Sequence, residues 1–175
     1  DGRLQLPGDD AVIQLDINNA PNHLHGGFRG FGRRVWEAEL IPSSEPNAES
    51  PCPAVRFSLL SPDNDQHYPG SVRVTATYSL HSTLRGAVLR LRMDATLQEN
   101  SRPSPVNLAQ HSYFNLSRHD DAQGILDHRL TLHADSYTPL DTTSIPTRQV
   151  VPVKEDAIMD WTGGRLVRDA MADYG

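Results

Sequence analysis

A chain of 175 residues with 16 Lys plus Arg against 22 Asp plus Glu carries a net charge of −6 and a pI near 5.7, a balance that disfavours nucleic acid and anionic membrane surfaces as partners. The length suits one domain with a respectable core, no apolar run approaches the roughly 18 residues of a membrane span, and Asp1-Gly2-Arg3 shows no apolar signal region, so a soluble chain is expected. Cys52, the single cysteine, excludes an internal disulfide and a cysteine metal cluster and fits a reducing, cytoplasmic compartment.

Residues 12 to 17, Val-Ile-Gln-Leu-Asp-Ile, read as a strand ended by the turn formers Asn18 to Asn22. His23-Leu24-His25-Gly26-Gly27 follows, and on an extended segment the two histidines share a face while the glycines admit close backbone approach. From residue 35 to 41 apolar and charged residues alternate, which predicts a half-buried strand with Trp36, Ala38 and Leu40 toward the core. Pro42 to Pro53 is rich in Pro, Ser, Glu and Asn and reads as a solvated loop open to disorder. A strand over 54–60 runs into the turn clusters Ser61-Pro62-Asp63-Asn64-Asp65 and Tyr68-Pro69-Gly70. The clearest two-residue period spans Val72 to Leu80 and again Ala87 to Leu97, and the short link at His81 to Gly86 predicts an antiparallel pair. Further strands are expected over 129–134 and 149–153. Near the C-terminus Thr162 is a candidate cap for a helix placing Leu166, Val167, Ala170 and Met171 on one face. Short alternating strands, 13 prolines and 12 glycines together predict an antiparallel sandwich or barrel.

Polar chemistry concentrates at Pro105 to Leu116, within strand-like sequence. His111 lies there beside Gln110, Ser112, Tyr113 and Asn115, the composition of a small-ligand pocket, although a satisfied core histidine is the competing reading. Ser112 next to His111 is not a hydrolase pair: neighbours on a strand face opposite ways, and no Gly-x-Ser-x-Gly elbow occurs. His23-x-His25, with His111 as a third ligand, is a metal pattern in spacing only, since the first carboxylate after it is Glu37; no metal is expected. His23 is expected to brace a turn and His25 to meet a ligand. Asp135 and Asp141 are read as turn residues rather than a glycosidase pair.

Five blocks carry a family resemblance. Asn18 through Gly27, Ser61-Pro62-Asp63 with Tyr68-Pro69-Gly70, Pro105-Val106-Asn107-Leu108, His111 through Leu116, and Leu132 through Asp135 to Ile145-Pro146-Thr147 occur in an order that resembles aldose 1-epimerase, the galactose mutarotase family. The resemblance implies an all-β antiparallel β-sandwich of the galactose mutarotase type, with residues 1–175 as part of one domain. It also implies a cofactor-free isomerase that interconverts the α and β anomers of free aldoses such as glucose or galactose. His111 matches the general acid at the ring oxygen, His25 the second site histidine that holds the sugar, and Ser112 and Tyr113 positions lining the site. Departures are Gln110 in place of asparagine, Gly32 in place of aspartate, and His67 in place of glycine before Tyr-Pro-Gly. None of Glu37, Glu39, Glu45, Glu49, Glu99 or Glu155 stands in the motif of the family's base. The chain is therefore expected to be the central part of a longer protein, lacking the C-terminal base, and inactive alone. The alternatives are a non-catalytic carbohydrate-binding module and a sugar-phosphate epimerase relative, for which Arg29, Arg33 and Arg34 would have to meet the phosphate.

Overall fold

The computed structural model describes residues 1–42 and 52–173; most of the expected 42–53 loop lies outside them. Two compact units divide the chain, Asp1–Ala109 and Gln110–Gly175.

In the first unit, β1 (Arg3–Gln5) pairs antiparallel with β2 (Val12–Gln14). The main body is an antiparallel four-stranded meander of β3 (Glu37–Ile41), β4 (Ala54–Ser61), β5 (Val72–Thr83) and β6 (Gly86–Leu97). The hairpin predicted from the alternation is present, and its turn falls within the expected His81–Gly86 link, narrowed to Leu84-Arg85 between the paired Thr83 and Gly86. Thr83 Oγ1 donates to the Gly86 carbonyl at 2.8 Å, and Gly86 sits at φ +130, outside the comfortable range of L side chains.

Register sorts the side chains. Val55, Tyr78 and Leu91 form one cross-strand row, Phe57, Ala76 and Met93 a second, and Leu59, Val74 and Ala95 a third, all on one face. The opposite face carries Glu39, Arg56, Thr77 and Arg92 in a row, with Arg56 3.7 Å from Glu39; exposed pairs of this kind contribute little to stability. Burial is concentrated at the end of the sheet next to Pro69-Gly70, where Leu59, Ser61, Val72 and Val74 lie, Val74 being only 2% exposed. The expected core side of residues 35–41 needs correction. Trp36 precedes β3 and is half-buried, donating from Nε1 to the Phe31 carbonyl at 3.0 Å. Ala38 and Leu40 do pair with Phe57 and Val55, yet Leu40 is 82% exposed, because no described segment covers that end of the face.

The second unit has little regular structure: β7 (Arg129–Leu130) with β10 (Arg165–Leu166), β8 (Ser136–Tyr137) with β9 (Val151–Pro152), and α1 (Val167–Asp173). The strands expected over 129–134 and 149–153 are thus two residues each, and 105–116 forms no strand. The C-terminal helix exists but starts later. Leu166 belongs to β10, Met171 is exposed, and the Thr162 hydroxyl donates to Asp160 at 2.6 Å instead of capping the helix. Buried Ala170 and backbone bonds from Val167 to the His128 carbonyl and from Arg168 to the Leu126 carbonyl dock α1.

Aspartate-centred turns replace ladders here. Asp141 Oδ1 accepts from the Thr143 and Ile145 amides and the Thr143 hydroxyl at 2.8 to 3.0 Å, the turn duty read from sequence. The Ile145 amide and then Thr143 lower the Asp141 pKa; the Tyr137 hydroxyl does the same for Asp156, and the Thr162 hydroxyl for Asp160. Among the described residues no helix is long and apolar enough to cross a membrane.

Two outcomes follow. Val74→Ala is expected to cost about 2 kcal/mol of stability, measured by urea unfolding, because it empties the most buried point of the sheet. Each depressed aspartate contributes stability that is complete above its unfolded value, 3.8, and is lost as pH falls through the lower folded value. Urea midpoints are therefore expected to hold from pH 7 to 5 and to fall below about 4, and Asp141→Asn to reduce the acid-dependent part of that fall.

Candidate functional site

His25 lies in the first unit; His111, Ser112 and Tyr113 lie in the second.

Around His25 the chain is a tight turn. Its φ is +51, followed by Gly26 at +77 and Gly27 at +100. The extended segment that would have aligned His23 with His25 is absent, and the two rings are used differently. Asn18 clamps the entry to the turn: its Nδ2 donates to the Leu24 carbonyl and its Oδ1 accepts from the Leu24 amide, both at 2.8 Å. The Gly27 amide closes the turn on the Leu24 carbonyl at 3.1 Å. Gly30 packs on the far side, where a Cβ would stand 2.0 Å from the His25 carbonyl oxygen, so no other residue fits without moving backbone. His25 itself is exposed.

His23 braces the structure, as its setting in the sequence suggested. Its Nδ1 lies 2.7 Å from the Asp16 carbonyl, which can only accept, so Nδ1 carries the proton and neutral Nε2 accepts from the Tyr68 hydroxyl at 2.7 Å. Burial raises the Tyr68 pKa and keeps that hydroxyl protonated. Tyr68 belongs to a turn that also reaches the segment after His25: Asp65 Oδ2 receives Arg34 at 2.7 Å and the Ser61 hydroxyl at 2.9 Å. Between them Gln66 Oε1 accepts from the Arg29 amide at 2.7 Å. Asp63 closes the turn by accepting from the Gly70 amide at 2.6 Å and from Arg102 at 3.0 Å, contacts that lower its pKa in that order. Asn64, Gln66 and His67 all have positive φ, which costs an L residue on the order of 1 kcal/mol each. His67 stands 3.3 Å from Asp16 and takes the left-handed conformation for which glycine is the unstrained choice, which explains why glycine suits this position in the family pattern.

In the second unit His111 stacks on Tyr113, ring centroids 5.1 Å apart and planes at 30°. Gln110 bonds to the Ser112 hydroxyl through its Nε2, and its Oε1 accepts from the Ser112 amide at 3.4 Å, so Ser112 is held by Gln110 and not aimed at the imidazole as a nucleophile. Tyr113 is 89% exposed and Phe114 73%, an aromatic surface beside a histidine. The end of this run is fixed by a residue the sequence reading did not single out. The Leu116 amide donates to His128 Nε2 at 2.8 Å, which requires the Nδ1–H tautomer; that Nδ1 is buried with no hydrogen-bond partner among the described residues. No spacing signal links positions 116 and 128. Gln66 was likewise missed, whereas Gly30 is legible in the sequence as extending the loose glycine character of Gly26-Gly27.

Two of the three arginines considered for a phosphate are engaged elsewhere: Arg34 with Asp65, and Arg33 donating to the Phe28 carbonyl at 3.2 Å. Among the described residues no three His, Cys, Asp or Glu side chains gather as a metal site. Taken unit by unit, the first offers an imidazole on a glycine turn and the second an imidazole, a serine hydroxyl, an amide side chain and aromatic surface, groups suited to hydrogen bonding and proton transfer.

The family model described as aldose 1-epimerase matches residues 2–172. Galactose mutarotase of Rattus norvegicus is 39% identical over 156 residues, 89% of this chain and 40% of that protein. Aldose 1-epimerase of Escherichia coli (strain K12) is 32% identical over 138 residues, 79% of this chain and 35% of that protein. The crystal structure of galactose 1-epimerase from Lactobacillus acidophilus NCFM superposes with a TM-score of 0.74 at 27% identity, covering 97% of this chain and 45% of that one. The chain thus spans about two fifths of the length of the curated relatives it matches, and its antiparallel sheets have the fold of galactose epimerases. The chain belongs to the aldose 1-epimerase family.

Proposed function

We propose that this chain serves the interconversion of α and β anomers of a free aldose such as galactose or glucose, without a cofactor, as part of one sandwich domain. The observation that carries the reading is the pair of histidine settings within a family match over residues 2–172. His25 is fixed by Asn18, Gly27 and Gly30, and His111 is stacked on exposed Tyr113. In this reading His111 delivers a proton to the ring oxygen as a base removes the anomeric hydroxyl proton. The C1–O5 bond breaks to give the open-chain aldehyde, the C1–C2 bond rotates, and ring closure on the other face returns both protons. His25 holds the sugar, with Ser112 and Tyr113 lining the site. Tyr113 and Phe114 supply flat apolar surface of the kind that packs on the C–H face of a sugar. The family's base motif is occupied by no glutamate of these residues, so the acid and binding side is what they contribute. A free sugar is favoured over a sugar phosphate by the engagement of Arg33 and Arg34.

Polarimetry of fresh α-D-galactose with the full-length protein tests the assignment. His111→Ala is expected to lower kcat by roughly 10²- to 10⁴-fold with little change in KM, the loss of a positioned proton donor. His25→Ala is expected to raise KM as well. Mutarotation at the spontaneous rate in the wild-type protein refutes catalysis, and an enhanced rate left unchanged by His111→Ala refutes His111 as the proton donor; sugar binding by calorimetry without rate enhancement selects a binding module instead.

A further inference from the structure

We infer that Gln66 is a positioning residue for His25, acting through the Arg29 amide; the inference rests on His25 being a sugar contact. Three neighbouring residues of one turn reach three points around the His25 segment. Tyr68 holds His23 on one side, Asp65 holds Arg34 on the other, and Gln66 takes the Arg29 amide between them at 2.7 Å. The outer two contacts hold the ends of the segment, and in its middle, beside the segment's own Gly27–Leu24 and Arg33–Gly30 backbone bonds, Gln66 reaches in from the facing turn. The fit there is close and mutual. A Cβ on Gly27 would lie 2.7 Å from Gln66 Oε1 and 3.0 Å from its Cβ, so the glycine is shaped to the amide side chain that covers it. Gly30, one residue past the bonded Arg29, lies against the His25 carbonyl. A shift of Arg29 therefore moves the peptide on which His25 stands. Gln66 is half-buried and held at φ +52, between Asn64 and His67 that are also left-handed, a conformation that persists only where surrounding contacts impose it. The turn spends backbone strain to aim this one acceptor.

Only an acceptor oxygen is needed at this place, so Gln66→Glu should keep the role and Gln66→Ala should lose it. The test uses the full-length protein with both variants. Three readouts are taken: hydrogen exchange of the Arg29 amide, imidazole nitrogen shifts of His25 on galactose titration, and mutarotation kcat and KM. Gln66→Ala is expected to speed Arg29 exchange by about 5- to 10-fold and to raise KM by a similar factor, kcat changing less, as loss of one hydrogen bond requires. Gln66→Glu is expected to restore each value to within about twofold of wild type. Unchanged Arg29 exchange and an unchanged His25 response in Gln66→Ala overturn the inference, as does a Gln66→Glu variant that behaves like the alanine. A wild-type His25 ring that ignores galactose instead refutes the sugar reading, and the exchange measurement still reports whether Gln66 holds the turn.

Discussion

The geometry around His25 depends on a short turn that runs from Ser61 to Gly70 through three left-handed, non-glycine residues. Such backbone is unfavourable alone and is held by side-chain contacts at both ends. Asp63 accepts from the Gly70 amide, Asp65 gathers Ser61 and Arg34, and Tyr68 donates to His23. The same turn sits where strand burial is deepest, beside Val72, Val74 and Pro69. Core packing and site geometry in the first unit therefore share one anchor: the sheet ends β4 and β5 fix the turn, and the turn fixes the histidine segment. Side chains of the Ser61–Gly70 turn thereby hold the segment on which the His25 imidazole stands.

The second unit is organised on another principle. With strands of two residues, it cannot draw rigidity from ladders, so aspartates accepting two or three local donors fix one turn after another, at Asp141, Asp156 and Asp160. His111 and Tyr113 stack within irregular chain, and His128 secures the end of the run through the Leu116 amide. Loops anchored by such contacts are where proteins commonly place binding groups, because they can be shaped without disturbing a sheet.

Much of this was legible in the chain itself, for identifiable reasons. The alternation at Val72–Leu80 and Ala87–Leu97 has the two-residue period that only a sheet satisfies, and the hairpin is present, its link narrowed to Leu84-Arg85 because His81 to Thr83 continue the ladder. Turn chemistry was equally readable at Asp141, and the five blocks placed the fold and family. Alternation misled where it indicates sidedness without showing what covers the side, as at Leu40. Apolar-polar patterning also misled at 105–116, which forms no strand, and at 129–134, where Arg129–Leu130 alone pairs and the Leu132 amide bonds the Trp161 carbonyl. Gln66 and His128 escaped notice because their partners are set by tertiary contact: Arg29 is 37 residues from Gln66, and no periodicity connects them.

We propose that His111 and His25 act on a free sugar, with His111 as the proton donor. Two-dimensional exchange spectroscopy of galactose at anomeric equilibrium measures this most directly, since cross peaks between the α and β H1 signals grow only with the interconversion rate. The account predicts strong cross peaks with the full-length protein, reduced to the buffer level by His111→Ala while galactose still perturbs the His25 ring. Equal cross peaks in wild type and His111→Ala, at matched folded concentration, would contradict it.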